Sequence, residues 1–243
     1  MKLTVLGKYG PYAPIGGCTS GYYIEGNDFS VAFEMGAGVF SRLQSVCRPE
    51  KLSALIISHL HFDHISDLGV MNYYLEALAR RGEFSGKIDL YLPATEDVAL
   101  DYIRSMNYFN IVLVEDGSVL KIGGADFSFF EVNHPKKSFG FTVDDGNCKF
   151  LYSGDTDLCG SLEENMPGCD LALLDGAFLS SSYKPGGPHM SISCCAELAV
   201  KHNVRTLVTH HLPTICFEDY VKEVGAVNLC SVVKEGETYT IKR

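Results

Sequence analysis

Apolar residues fall in short runs broken by glycine, asparagine and aspartate, a spacing that predicts many strands and few long helices. Leu3-Thr4-Val5-Leu6, Tyr22-Tyr23-Ile24, Phe29-Ser30-Val31-Ala32-Phe33 and Leu55-Ile56-Ile57 read as strands, with turns at Gly16-Gly17 and Gly26-Asn27-Asp28. Further strands are predicted at 90–92, 111–114, 127–130, 139–142, 149–152, 171–174, 206–209, 229–233 and 238–241. Helices are predicted from Arg42 to Cys47, Asp67 to Arg81, Pro93 to Met106, Ser191 to His202 and Glu218 to Val224. Strands come in bunches with helices between or after them, an order that fits two sheets sandwiched by helices. No linker or low-complexity segment interrupts it, so residues 1–243 are expected to form one domain. The two halves repeat a similar logic, which reads as a weak internal duplication.

The strand 55–57 empties into Ser58-His59-Leu60-His61-Phe62-Asp63-His64, where three of the eight histidines fall together beside a carboxylate. Packing alone does not explain such a cluster, whereas neutral imidazole and carboxylate are ligands of borderline metals such as zinc. Other polar residues follow apolar runs directly, where an unpaired buried group would be costly. His134 follows the strand ending at Val132, Asp155 follows Leu151-Tyr152-Ser153-Gly154, and His210-His211 follow Leu207-Val208-Thr209. The loop Gly36-Ala37-Gly38 lacks the lysine of a phosphate loop and carries no assignment.

Composition narrows the partners. Hydrophobic residues make up 46% and charged residues 21%, as in ordinary globular proteins. The net charge of −10 and the lack of a Lys/Arg-rich run argue against long-range attraction to nucleic acid. No apolar run approaches the ~20 residues that span a membrane. Nine scattered cysteines without a CxxC pair, and no signal peptide, point to the reducing cytoplasm.

The run His59-x-His61-x-Asp63-His64, followed in order by His134, Asp155 and His211, resembles the metallo-β-lactamase-fold hydrolases over nearly the whole chain. The histidine cluster and Ser153-Gly154-Asp155-Thr156 are most similar to the ribonuclease Z and phosphodiesterase branch. The resemblance implies an α/β (α+β) fold, a four-layer αββα sandwich of two mixed sheets flanked by helices. It implies a dinuclear centre of two divalent ions, zinc first, with manganese or iron as alternatives. His59, His61 and His134 would hold one ion, Asp63, His64 and His211 the other, and Asp155 would bridge them. His211 is taken over His210 because Leu212-Pro213 follows it; His210 stays as a competing or supporting group. No organic cofactor is implied. A homodimer is a family expectation.

His189, in Gly187-Pro188-His189-Met190-Ser191, resembles the histidine of that branch's His-Ser-Thr motif, and Asp175 stands where the branch more often has its paired Glu. The bland readings are a helix-start residue for His189 and strand-end polarity for Asp175. Glu34 stands where the family more often has Asp, and a cysteine replaces Asp155 in β-lactamases proper, so antibiotic hydrolysis is not expected. The chain shows no glycine- and proline-rich arm of the kind that grips tRNA, so tRNA is not the expected partner.

The implied chemistry is attack by a bridging hydroxide on a phosphodiester, a nucleotide, cyclic nucleotide or RNA-type ester, with a small-molecule or nucleotide ester as the expected substrate. Asp63 would orient the hydroxide or take its proton, and His189, held by Asp175, would protonate the leaving group. The alternatives are carboxyl-ester, lactone or thioester hydrolysis at the same centre, and a non-catalytic metal-binding or redox module. The loops Tyr9–Pro14 and Tyr183–Pro188 are expected to shape access to the site.

Overall fold

Fourteen strands form two seven-stranded sheets in the computed structural model, which describes every residue except 226. The first sheet contains β1 (Lys2–Gly7), β2 (Gly21–Glu25), β3 (Ser30–Phe33), β4 (Ala54–Ile56), β5 (Ile88–Pro93) and β6 (Phe109–Val114). The second contains β7 (Val119–Ile122), β8 (Ala125–Val132), β9 (Ser138–Asp144), β10 (Lys149–Tyr152), β11 (Leu171–Leu174), β12 (Thr206–Val208) and β13 (Cys230–Val232). The last strand, β14 (Thr238–Thr240), returns to the first sheet beside β1. The strand orders are β14-β1-β2-β3-β4-β5-β6 and β13-β12-β11-β10-β9-β8-β7.

From β14 to β6, three antiparallel pairings are followed by three parallel ones. From β7 to β13 the same succession repeats. The repeat of pairing sense is the structural counterpart of the duplication suggested by element order.

Period-two alternation divides each strand between two cores. In β2, Tyr22 and Ile24 enter the core between the sheets, while Tyr23 faces the outer helices. In β8, Phe127 and Phe129 face inward, and Phe130 and Val132 face the other way. The inter-sheet core is aromatic: Phe33 meets Phe141 edge-on at 5.3 Å and Tyr152 at 4.9 Å between ring centroids. Burying each such ring contributes about 1.5–3 kcal/mol.

The helices are α1 (Val39–Val46), α2 (Phe62–Ile65), α3 (Leu68–Arg80), α4 (Val98–Arg104), α5 (Gly160–Asn165), α6 (Ile192–His202) and α7 (Phe217–Val224). α3 buries Leu68, Met71, Leu75 and Leu78, one stripe at helical spacing. α1, α3 and α4 cover the outer face of the first sheet, and α5, α6 and α7 cover that of the second. The result is the four-layer αββα sandwich. Among the described residues, no helix is long and apolar enough to cross a membrane.

The expected helix from Pro93 is corrected. Pro93 closes β5 opposite Val114, and α4 begins only at Val98, where the Asp97 carboxylate accepts the Ala99 N–H at 2.9 Å. β7 and α5 escaped the pattern. β7 is an edge strand whose exposed Val119 and Lys121 alternate with more buried positions, and α5 is six residues long.

Strands β4, β8, β10, β11 and β12 all release their C-terminal residues at one edge of the sandwich. His59, His134, Asp155, Asp175 and His211 leave the sheets there.

Candidate metal and catalytic site

His59 and His61 follow β4, and α2 turns Asp63 and His64 back toward the same point. His134 enters from the end of β8. The three rings of His59, His61 and His134 converge: His61 Nδ1 lies 2.9 Å from His59 Nε2 and 3.1 Å from His134 Nε2. His134 donates its Nδ1–H to the Pro188 carbonyl at 2.9 Å, so its Nε2 carries a bare lone pair. A proton on His61 can serve such contacts only in part, whereas one cation serves all three nitrogens. Nitrogens sharing a tetrahedral zinc stand about 3.4 Å apart, close to what is seen. Burial is the main cause that lowers the pKa of all three histidines, and repulsion from a neighbouring histidine adds to it: His64 for His59, His134 for His61 and His189 for His134. It favours neutral imidazole, the form that binds metal.

Asp155 sits at the centre of the second group. Its Oδ2 lies 3.2 Å from His64 Nε2, 3.7 Å from His211 Nε2 and 3.9 Å from His59 Nε2. Asp63 Oδ2 is 3.6 Å from His64 Nε2. On its other side, His64 Nδ1 lies 3.1 Å from Glu34 Oε2. Burial works against charge on Asp155, but His64 and His211 override it and hold the carboxyl well below the ordinary range. Burial likewise opposes a charged His64, and Asp155 with Glu34 raises its pKa well above the ordinary value. A proton on His64 thus answers the carboxylates where a metal cation otherwise would. The donor set is all nitrogen and oxygen, suited to zinc, manganese or iron.

Glu34 was noted in the sequence only as a departure and was missed as a site residue. It follows β3 in a left-handed conformation, φ 60°, is fully buried, and accepts the Ser58 N–H at 3.1 Å. That backbone turn points its carboxylate at His64. Gly10 was missed too. A Cβ there would lie 2.2 Å from His211 Cε1 and 2.6 Å from Asp63 Oδ2, and its N–H donates to the His211 carbonyl at 2.7 Å. No signal in one sequence marks that close approach.

His189 precedes α6, whose N-cap is Ser191. Its Nδ1 donates to Asp175 Oδ2 at 2.7 Å, and Asp175 also accepts the Thr156 N–H at 3.0 Å. The His189 ring centroid is 4.6 Å from that of His211, and a ring nitrogen shares a neighbourhood within 4.8 Å with Asp155 and His211. Burial would lower its pKa; Asp175 overrides this and raises it to about 9.

His210 turns away from the cluster, donating Nε2–H to the Ile215 carbonyl at 2.8 Å and packing on Tyr220 at 4.4 Å. His202 lies on the last turn of α6, away from the cluster. All nine cysteines are unpaired, and none joins these groups.

A cleft of about 420 Å³ opens over the cluster. His61, Asp63, His134, Asp155, His189 and His211 line it together with Pro11, Phe62, Pro135 and Pro188. Of the two loops expected to shape access, the first contributes Pro11 and the second Pro188. Asp157 ties the second loop down, accepting the Tyr183 O–H at 2.7 Å and the Gly186 N–H at 2.6 Å.

A two-sheet sandwich with a His/Asp cluster at one edge defines a metal-dependent hydrolase fold. The β-lactamase superfamily domain matches residues 33–212, and the chain belongs to that family as one of its metallo-hydrolases. It is 26% identical over 227 residues to the probable metallo-hydrolase YhfI of Bacillus subtilis, covering 92% of this chain and 91% of that one. The crystal structure of YhfI from Bacillus subtilis superposes with a TM-score of 0.90 at 23% identity, over 98% of both chains. A diphosphatase of the PhnP family gives a TM-score of 0.78 at 18% identity, over 99% of this chain and 98% of that one. The short form of human tRNase Z gives 0.77 at 16% identity over 100% of both. The structural likenesses establish the fold.

Proposed function

We propose that the chain is a phosphodiesterase of small nucleotide-type esters that works with two divalent ions, zinc first. His59, His61 and His134 would hold one ion and Asp63, His64 and His211 the other, with Asp155 between them. Such ions, when bound, supply Lewis acidity and a water acidified toward neutrality. The chain's own residues do the rest. Asp63 orients the attacking water or takes its proton. Asp175 fixes the His189 ring through Nδ1, leaving Nε2 to hold a proton for the departing alkoxide. Proline and phenylalanine side chains around the cleft limit bulk water near the reacting bond.

The observation that carries this reading is the 2.7 Å His189–Asp175 pair lining the same cleft as Asp155 and His211. An alkoxide is a poor leaving group that needs an acid, and a positioned acid contributes about 10²–10⁴ in rate. Two structural neighbours, a tRNase and a diphosphatase, bear names for chemistry at phosphorus, which supports the same choice.

A substrate panel with added Zn²⁺ or Mn²⁺ tests it. Turnover of bis(p-nitrophenyl) phosphate, with none of p-nitrophenyl acetate or a lactone, is expected. The reverse selectivity establishes a carboxyl-ester or lactone hydrolase instead. Two equivalents of bound metal without turnover of any ester establishes a binding module.

A further inference from the structure

Phe62 stands between two residues of the metal cluster, His61 and Asp63, yet its side chain is 74% exposed. It is the first residue of α2 and belongs to none of the three hydrophobic cores. It lines the cleft beside His61 and Asp63, with Pro11, Pro135 and Pro188 as the other apolar lining. A phenyl ring left in water forgoes the gain of burial, which a flat partner laid on its face restores. The prolines are rigid and lose little side-chain entropy when covered.

The charges around the cleft are equally selective. Among the described residues, no lysine or arginine lines it. Lys136 and Lys137 follow Pro135, but Lys136 is paired with Asp97, and the Lys137 ammonium lies 5.6 Å over the Phe139 ring. Binding a nucleic-acid strand requires a groove of cations along its backbone. With its ions bound, this cleft would offer instead one compact site for an anion, with an aromatic face next to it. Its volume of about 420 Å³ lies at the small end of the roughly 300–1,000 Å³ typical of small-molecule sites.

We propose that the cleft takes a small diester of a single phosphate that carries a nucleobase or similar flat aromatic ring, and that Phe62 stacks on that ring. The proposal rests on the phosphodiesterase reading above and names its substrate class. His189 and the metal cluster face the phosphate, and Phe62, one residue from either of two cluster members, faces the base. Specificity then comes from the ring and reactivity from the phosphate.

Two esters that share one scissile bond separate these roles: the methyl ester of thymidine 5′-monophosphate and the same ester of abasic deoxyribose 5-phosphate. Metal-loaded wild-type protein is expected to favour the thymidine ester in kcat/KM, mostly through KM. Phe62→Ala is expected to cut that preference about 5- to 150-fold, the range for loss of one base–aromatic stack, while Phe62→Trp retains it. Calorimetric binding of thymidine 5′-monophosphate relative to methyl phosphate is expected to weaken by a similar factor in Phe62→Ala, with metal content by elemental analysis equal to wild type. Turnover of both esters with the preference unchanged in Phe62→Ala overturns the stacking proposal alone. Turnover of neither ester by the wild type overturns the phosphodiesterase reading and the proposal with it.

Discussion

Two histidine–carboxylate pairs stand at the same edge of the sandwich, and their surroundings divide their chemistry. Glu34 follows β3 and faces His64 Nδ1 at 3.1 Å; Asp175 follows β11 and accepts the His189 Nδ1–H at 2.7 Å. In each, a carboxylate stands against Nδ1 and Nε2 points onward. His64 is fully buried, and its Nε2 meets a second carboxylate, Asp155, at 3.2 Å. His189 is 14% exposed and lines the cleft. On the proposed reading the same unit is a ligand where it is sealed among acids, and a proton carrier where it lines the cleft. Carboxylate–histidine pairs orient ligands in the first setting and supply acid in the second.

Mutations that break one pair and spare the other sharpen this contrast. The largest effect is expected at the group the metal cluster shares. Asp155→Ala removes the oxygen that lies within 3.9 Å of three histidines, and it leaves His64 facing Glu34 and, at 3.6 Å, Asp63. Elemental analysis should show loss of at least one of two bound ions, with turnover at background. Full metal content in that variant removes Asp155 from the centre of the account.

Breaking the Glu34 pair should weaken metal rather than chemistry. Glu34→Ala is expected to lower metal affinity about 10–100-fold, the usual cost of losing a carboxylate behind a ligating histidine. A chelator titration measures this, and kcat should return at saturating metal. A lasting loss of kcat at full occupancy would give Glu34 a catalytic role that the comparison denies it. Gly10→Ala tests the same side from the backbone, since its Cβ would collide with His211 and Asp63. Weaker metal binding is again expected, with His59, His61 and His134 undisturbed.

The smallest effect is on stability. In metal-free protein, His189 has a pKa of about 9 against an ordinary 6.5. A raised folded-state pKa stabilises fully below the unfolded value and loses that contribution as pH rises through the folded one. In urea unfolding of chelated protein, the His189 contribution to stability should therefore fall between pH 6.5 and 9, by at most about 3 kcal/mol. His189→Gln should flatten that slope. An unchanged slope means that Asp175 does not hold the proton on His189.

The sequence carried the clustered candidate ligands better than the residues around them. His59, His61 and His64 were legible because a short strand empties into a dense cluster, and Asp155 and His211 because each follows an apolar run. The signal that marks a candidate ligand is local in the chain. Glu34 and Gly10 act on partners 30 and 201 positions away, His64 and His211, through a left-handed turn and a close approach that only assembled sheets create. The two sheets were legible from strand bunching. β7 was not, because an edge strand needs only one buried face, and the start of α4 was not, because Pro93 serves the end of a strand as readily as the start of a helix.

On the proposed reading, His189 carries the proton for the leaving group and holds no metal. The most direct test is the leaving-group dependence of kcat for His189→Ala against wild type, at equal and full metal content, over aryl and alkyl phosphodiesters. A loss of about 10²–10⁴ is expected for alkyl esters, shrinking toward none for p-nitrophenyl esters that leave without a proton. An equal loss on both kinds of ester, or a loss of bound metal in the variant, contradicts it.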